Sequence, residues 1–257
     1  MSSAKDASRT IALDVGGIGV PIEVRRHAGA RRLTLSVSKT RRMVVVTVPN
    51  CCRMDEAGRF LKNHIEWVRE RLGRVPAPVP FADGAVIPLR GVLHRLSFTG
   101  PRRGIPVVSA GGSGAPHRLE VAGRLEHAAR RLQDWLVAEA RSDLDGSVSQ
   151  HARRLGVRAR RITLRDQATR WGSCSASGLL SFSWRLILAP SFVLDYVAAH
   201  EVAHLLEMNH GPRFWRLVAR CVPQLEEAKG WLRQEGTDLY RYGGKLAPIA
   251  SSIRRPR

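Results

Sequence analysis

Three histidines and a glutamate fall close together in the stretch AAHEVAHLLEMNHGPRFW: His200, Glu201, His204 and His210. On a helix, residues four apart share a face, so His200 and His204 project together while Glu201 points off their line. Apart from the motif, Asp195 and the Tyr196 hydroxyl, the run from Phe192 to Leu206 is apolar. A helix apolar on all sides is a buried helix. Two imidazoles and a carboxylate buried without partners cost several kcal/mol, so something must satisfy them. A Zn2+ ion does so, because neutral imidazole nitrogens ligate it and its charge stabilises a nearby carboxylate. The H-E-x-x-H spacing then leaves Glu201 free to act as general base on a zinc-bound water. The expectation is one zinc per chain, held by His200 and His204, with Glu201 as the catalytic residue.

His210 is the favoured third ligand. Asn209 is expected to end the helix in the left-handed conformation, with Pro212 opening the next one, so that His210 folds back toward the other two. Glu226 or Glu227 from the following helix is the competing ligand. Upstream, the segment RWGSC offers Arg170, whose guanidinium suits a developing oxyanion, a carboxylate or a phosphate. The alternative is structural: Arg170 braces the turn, Trp171 packs under the zinc helix, and Gly172 allows a bulge. Cys174 has no nucleophilic role where a metal and water suffice.

The elements that must hold these residues read as α+β. Between residues 10 and 49, IALDV, PIEVRR, RRLTLSV and RMVVVTVP are β-branched or alternating and read as strands. From Met54 to Leu72 the period changes, and Ala57, Phe60, Leu61, His64, Ile65, Val68 and Leu72 form a helical stripe. RVPAPVP is a stiff linker. AVIPLRG and HRLSF suggest a hairpin about Gly91-Val92, and GIPVVSAGGSGAPHRLEVAG two strands joined by a flexible loop. A helix is expected over Leu125–Leu144, breaking near Gly146 and resuming to Leu155. RRITLRD and GLLSFSWRLIL follow as strands, then helices over 191–207 (N-capped by Ser191), 212–222 and 224–235. The domain expectation is a β-rich N-terminal region over 1–120, a zinc-site domain over 121–242, and a disordered basic tail over 243–257.

Composition narrows the classes. At 257 residues and 44% hydrophobic the chain can bury a sizeable core. Nothing in MSSAKDASRTIALDVGG resembles a signal peptide. No window approaches the roughly 20 apolar residues that cross a bilayer, since LILAPSFVLDYVAA is broken by Pro190, Ser191 and Asp195. No membrane and a cytoplasmic location are the expectations. Cys51, Cys52, Cys174 and Cys221 lack C-x-x-C spacing and are read as reduced thiols. The net charge of +20 permits a nucleic-acid or nucleotide partner, yet only five of the 42 basic residues are lysines and the arginines spread along the whole chain. A solvated surface is the leading reading of that charge.

From Thr169 to Trp215 the sequence resembles the signature of the YgjP-like metallopeptidases, relatives of the SprT-like zinc proteases. RWGSC, WRLI, the H-E-x-x-H helix and NH-x-x-x-FW occur in order, and FLKNHIEWVRERL resembles the family more loosely. The resemblance implies a zincin-like metallopeptidase domain, metal ligation by His200, His204 and His210, and Glu201 as acid/base. Gly211 stands where many relatives carry serine. The leading functional reading is a zinc-dependent metallopeptidase acting on a peptide or protein. The alternatives are a metal-dependent nucleotide (UTP-type) pyrophosphatase and a nucleic-acid-associated SprT-like protease.

Overall fold

The computed structural model describes residues 9–11, 20–38, 43–100, 104–109, 117–167 and 169–243. The expected tail from 244 onward, the loop over 110–116 and most of the first expected strand lie outside these residues. The architecture is mixed α+β. By internal contacts the chain forms two units, Met1–Ala77 with Lys245–Arg257, and Pro78–Gly244.

In the first unit, β1 (Arg9–Ile11), β2 (Ile22–Arg26), β3 (Thr34–Ser38) and β4 (Met43–Val48) form a sheet in the order β1-β2-β4-β3. β2 and β4 run parallel in the register Ile22↔Val44, and the other pairs are antiparallel. Val24, Val44, Val46 and Val48 cover one core, and the helices α1 (Met54–Asn63) and α2 (Ile65–Gly73) add Ala57, Leu61, Val68 and Leu72. The single expected helix is thus two. The imidazole Nδ1 of His64 bonds the Phe60 carbonyl at 2.8 Å, and its backbone N–H turns to Leu61 O at 3.1 Å. A side chain that takes the carbonyl meant for the backbone breaks the ladder there.

The second unit carries two further sheets. β5 (Val86–Leu89), β6 (Val92–Phe98), β7 (Val107–Ser109) and β8 (His117–Val121) lie in the order β5-β6-β8-β7. β9 (Arg161–Arg165), β10 (Gly172–Cys174) and β11 (Leu179–Ser183) form the other, with β11 in the centre. The helix α3 (Leu125–Leu155) serves both. Its buried residues recur every fourth position, and such a stripe winds around the helix by about 40° per step. Ala128, Leu132, Leu136 and Ala140 therefore pack into the core of the β5–β8 sheet, and Leu144, Val148 and Ala152 into the core of the β9–β11 sheet. The break expected near Gly146 does not occur, since Gly146 is exposed and a helix running between two cores has no reason to stop there. Gly156 ends α3 in the left-handed conformation (φ 68°).

After β11 the expected strand does not continue. Trp184–Leu188 form a buried 3-10 helix. The Ser183 hydroxyl accepts the Arg185 N–H at 3.4 Å and starts this turn. The Arg185 guanidinium then grips Asp166 (2.7 and 3.1 Å) and the Tyr242 carbonyl (2.6 Å). The hairpin of β5 and β6 docks on the same turn. Its two-residue tip, Arg90-Gly91, has φ 50° and 79°, the positive pair that a tight antiparallel reversal requires. Arg90 N–H donates to Ile187 O (2.7 Å) and Gly91 N–H to Leu188 O (3.3 Å). Next come α4 (Ser191–Ala203), α5 (Pro212–Cys221), α6 (Leu225–Gln234) and a 3-10 helix over Gly236–Arg241. Pro190, one residue before the expected Ser191, caps α4.

Candidate metal centre

His200 and His204 stand one turn apart at the end of α4, a helix buried on nearly every side. Past Ala203 its winding tightens, with Leu205 N–H bonding Val202 O and Leu206 N–H bonding Ala203 O, both at 3.0 Å. Asn209 does not supply the left-handed stop expected of it, because its φ is negative. The reversal is made differently. Gly211 N–H donates to Asn209 O at 2.8 Å, closing a three-residue turn with His210 at its centre. Pro212 then opens α5 as expected.

One side chain organises the three rings. Phe214 is fully buried, and its ring centroid lies 4.8 Å from that of His200, 4.5 Å from His204 and 4.7 Å from His210. Trp215 stacks on His210 at 5.9 Å, and the ammonium of Lys229 sits 4.7 Å from the Trp215 ring. The side-chain nitrogens of His200, His204 and His210 gather within 4.8 Å of one another and could hold a metal ion. The Nε2 atoms of His200 and His210 are 3.1 Å apart. Nitrogens that close share either a proton or a cation. His204 donates through Nδ1 to the Glu207 carbonyl at 3.1 Å, which leaves its Nε2 lone pair available. Glu226 and Glu227 are not brought to this cluster. They are exposed, with Glu226 bonded to Lys229 (2.8 Å) and Glu227 to Gln224 (3.1 Å).

Burial sets the electrostatics. It pushes His200 down to about 4, with His204 and His210 adding to the shift, so the ring is neutral and a lone pair is free. His204 is also lowered, chiefly by burial. Glu201 is 5% exposed, and burial raises its carboxyl to about 7 while the Arg170 guanidinium pulls the other way. Its Oε2 and the Nδ1 of His200 are buried with no hydrogen-bond partner. An unpartnered buried carboxylate oxygen calls for a ligand or an ion.

Gly172 has a role the sequence did not reveal. A Cβ there would stand 2.5 Å from Glu201 Oε1, 2.6 Å from Cγ and 2.8 Å from Cδ, so the carboxylate occupies the space a side chain would fill. The glycine of RWGSC admits the glutamate of H-E-x-x-H. Trp171 packs at 5.0 Å against the ring of Tyr240. Arg170 is exposed, makes no hydrogen bond or ion pair among the described residues, and acts on Glu201 through its charge. β11 has neighbours on both sides. The strand edge beside Glu201 belongs to β10.

The solved structure of the metallopeptidase zymogen of Pyrococcus abyssi abylysin is 22% identical, with a TM-score of 0.34, over 38% of this chain and 97% of that one. No curated protein matches the chain significantly. The model of the YgjP-like metallopeptidase domain matches residues 31–235, which include all three histidines, Glu201, Arg170 and Gly172. The chain belongs to the YgjP-like metallopeptidase family, and a metal cofactor is implied by that membership.

Proposed function

We propose that this protein is a zinc-dependent peptidase in which His200, His204 and His210 hold one zinc ion and Glu201 is the general base and acid. The observation that carries the reading is the convergence of three imidazoles, two of them kept neutral by burial, beside the buried Glu201 carboxyl. The donor set fits zinc. Two nitrogens on a tetrahedral ion at about 2.0–2.1 Å lie roughly 3.3 Å from each other, and the His200–His210 separation of 3.1 Å is close to that. Bound there, the ion supplies Lewis acidity, polarising a carbonyl and acidifying a water.

The chain's own residues do the rest. The Glu201 carboxylate would take a proton from the water and return it to the leaving amine. Gly172 fixes where that carboxylate sits. An extended peptide could add beside β10, the terminal strand of its sheet, which would bring its backbone alongside Glu201. Arg170, unpaired and close enough to act on Glu201, is placed to meet a negative charge on the substrate. The pyrophosphatase alternative favours clustered carboxylates, and the gathered ligand group contains none.

The test is metal analysis with activity on a peptide library. Wild type should carry about one equivalent of zinc, and each of His200→Ala, His204→Ala and His210→Ala should lose it. Glu201→Gln should keep the metal and lose at least ~10²–10⁴-fold in kcat. Near-normal turnover in a zinc-loaded Glu201→Gln would sink the mechanism.

A further inference from the structure

Away from the metal centre, α3 and the chain leading into β9 enclose an open cavity of about 580 Å³. Its floor is aliphatic, with Val148, Ala152 and Ile162, and its rim is basic, with Arg141, Arg153, Arg158 and Arg161. Arg141 is engaged: Nε faces Asp145 at 3.4 Å and Nη1 donates to the Ile162 carbonyl at 2.7 Å. Arg153, Arg158 and Arg161 are exposed and make no hydrogen bond or ion pair among the described residues. Asp145 is the one acid in the lining. Four guanidiniums thus face one carboxylate in the lining, and an anion with forked acceptors would answer that excess.

The cavity also borders β9, which among the described residues pairs with β11 alone and gives its Ile162 carbonyl to Arg141. An outer strand can accept an extended peptide as a further strand. A ligand that answers the whole cavity must therefore bring carboxylates for the rim, aliphatic groups for the floor and an extended backbone for the edge. A nucleic acid answers only the first. No aromatic residue lines the cavity to stack a base, and a duplex is convex.

We propose that this cavity is a docking site for an extended acidic segment of a protein substrate, separate from the metal centre. The substrate role rests on the peptidase reading, but the experiment reads binding and not hydrolysis, so the two fail independently. Fluorescence anisotropy is measured on the full chain at near-physiological salt, with a short fluorescein-labelled peptide of alternating glutamate and valine. The triple variant Arg153→Ser/Arg158→Ser/Arg161→Ser should weaken binding by roughly tenfold or more. The charge-matched variant Arg31→Ser/Arg32→Ser/Arg130→Ser should bind as wild type does, and oligothymidylate should displace the peptide poorly. The substituted arginines are exposed, so the triple variant should melt as wild type does. Equal loss in both variants would reduce the effect to net charge and overturn the proposal. So would no measurable peptide binding, and so would displacement by low concentrations of oligothymidylate, which would give the cavity to nucleic acid.

Discussion

At Glu201, one buried carboxyl links the chemistry to the stability of the metal-free chain. Its ordinary value is 4.5 and the fold raises it to about 7. A carboxyl raised on folding contributes stability that is fully present below 4.5 and is lost as pH rises through 7, because the folded state must then hold a buried charge. The loss is on the order of 3 kcal/mol. His200, lowered to about 4 by burial, acts in the opposite sense, so the readout is the difference between the two proteins: denaturant unfolding of metal-free protein at about pH 5 and about pH 8 should show Glu201→Gln gaining stability relative to wild type as pH rises. A variant with the same pH slope would remove Glu201 as the cause. Gly172→Ala makes a second prediction here. The added methyl would overlap the carboxylate, so Glu201 or β10 must shift. A displacement approaching 1 Å costs about 10²-fold in rate, and the metal should stay, since no ligand touches the methyl. Unchanged kcat with full metal content would mean that the position of Glu201 is not critical.

The elements around the site show which signals the chain carries openly. The α4 stripe and Pro212 at the head of α5 were legible, because they rest on helical period and proline chemistry within one segment, whereas the fold-back of His210 was expected from a left-handed Asn209 and is made instead by the Gly211–Asn209 turn. The Trp184–Leu188 turn was not. Five residues buried on every side have no alternation to read, and the Arg185 partners Asp166 and Tyr242 are distant in sequence. The role of Gly172 was hidden for the same reason, since the carboxylate it admits is on another element. The hairpin tip is a third such case. A Cβ on Gly91 would meet Pro190 Cγ at 2.9 Å and Cα at 3.0 Å, at a φ of 79° that disfavours any side chain. Pro190 caps α4, so this tip fixes where the histidine helix begins. Gly91→Ala should lower stability by about 1–3 kcal/mol and loosen metal binding with it, as read by thermal melts with and without zinc. A normal melt would show that the helix start does not depend on the hairpin.

At the scale of the molecule, the unit over residues 78–244 holds every site residue and both cores that share α3. Its ends are tied to each other, with Val79 N–H bonding Arg241 O at 2.8 Å and Gly243 N–H bonding Val79 O at 2.9 Å. A compact unit with joined ends and its own cores should fold alone. Residues 78–244 expressed by themselves should give a cooperative melt and bind about one metal ion; an unfolded product would show that the first unit is needed for stability. Among the described residues no helix is long and apolar enough to cross a membrane, and all four cysteines are free thiols. The charge of +20 was legible at once, but its meaning was not, because sequence position does not say which arginines lack a counter-charge. Arg153, Arg158 and Arg161 already cluster in the sequence; what folding adds is the cavity they line.

The contact of one phenyl ring with all three imidazoles has a consequence for ion choice. The three imidazoles share one support, because each leans on a side chain packed deep in the protein. An ion content with few, closely set nitrogens would enter without disturbing Phe214, whereas one that demands six oxygen donors, such as magnesium or calcium, would not find them. Discrimination would then come from that shared support as much as from donor chemistry, and a softer residue in place of the ring would blur it.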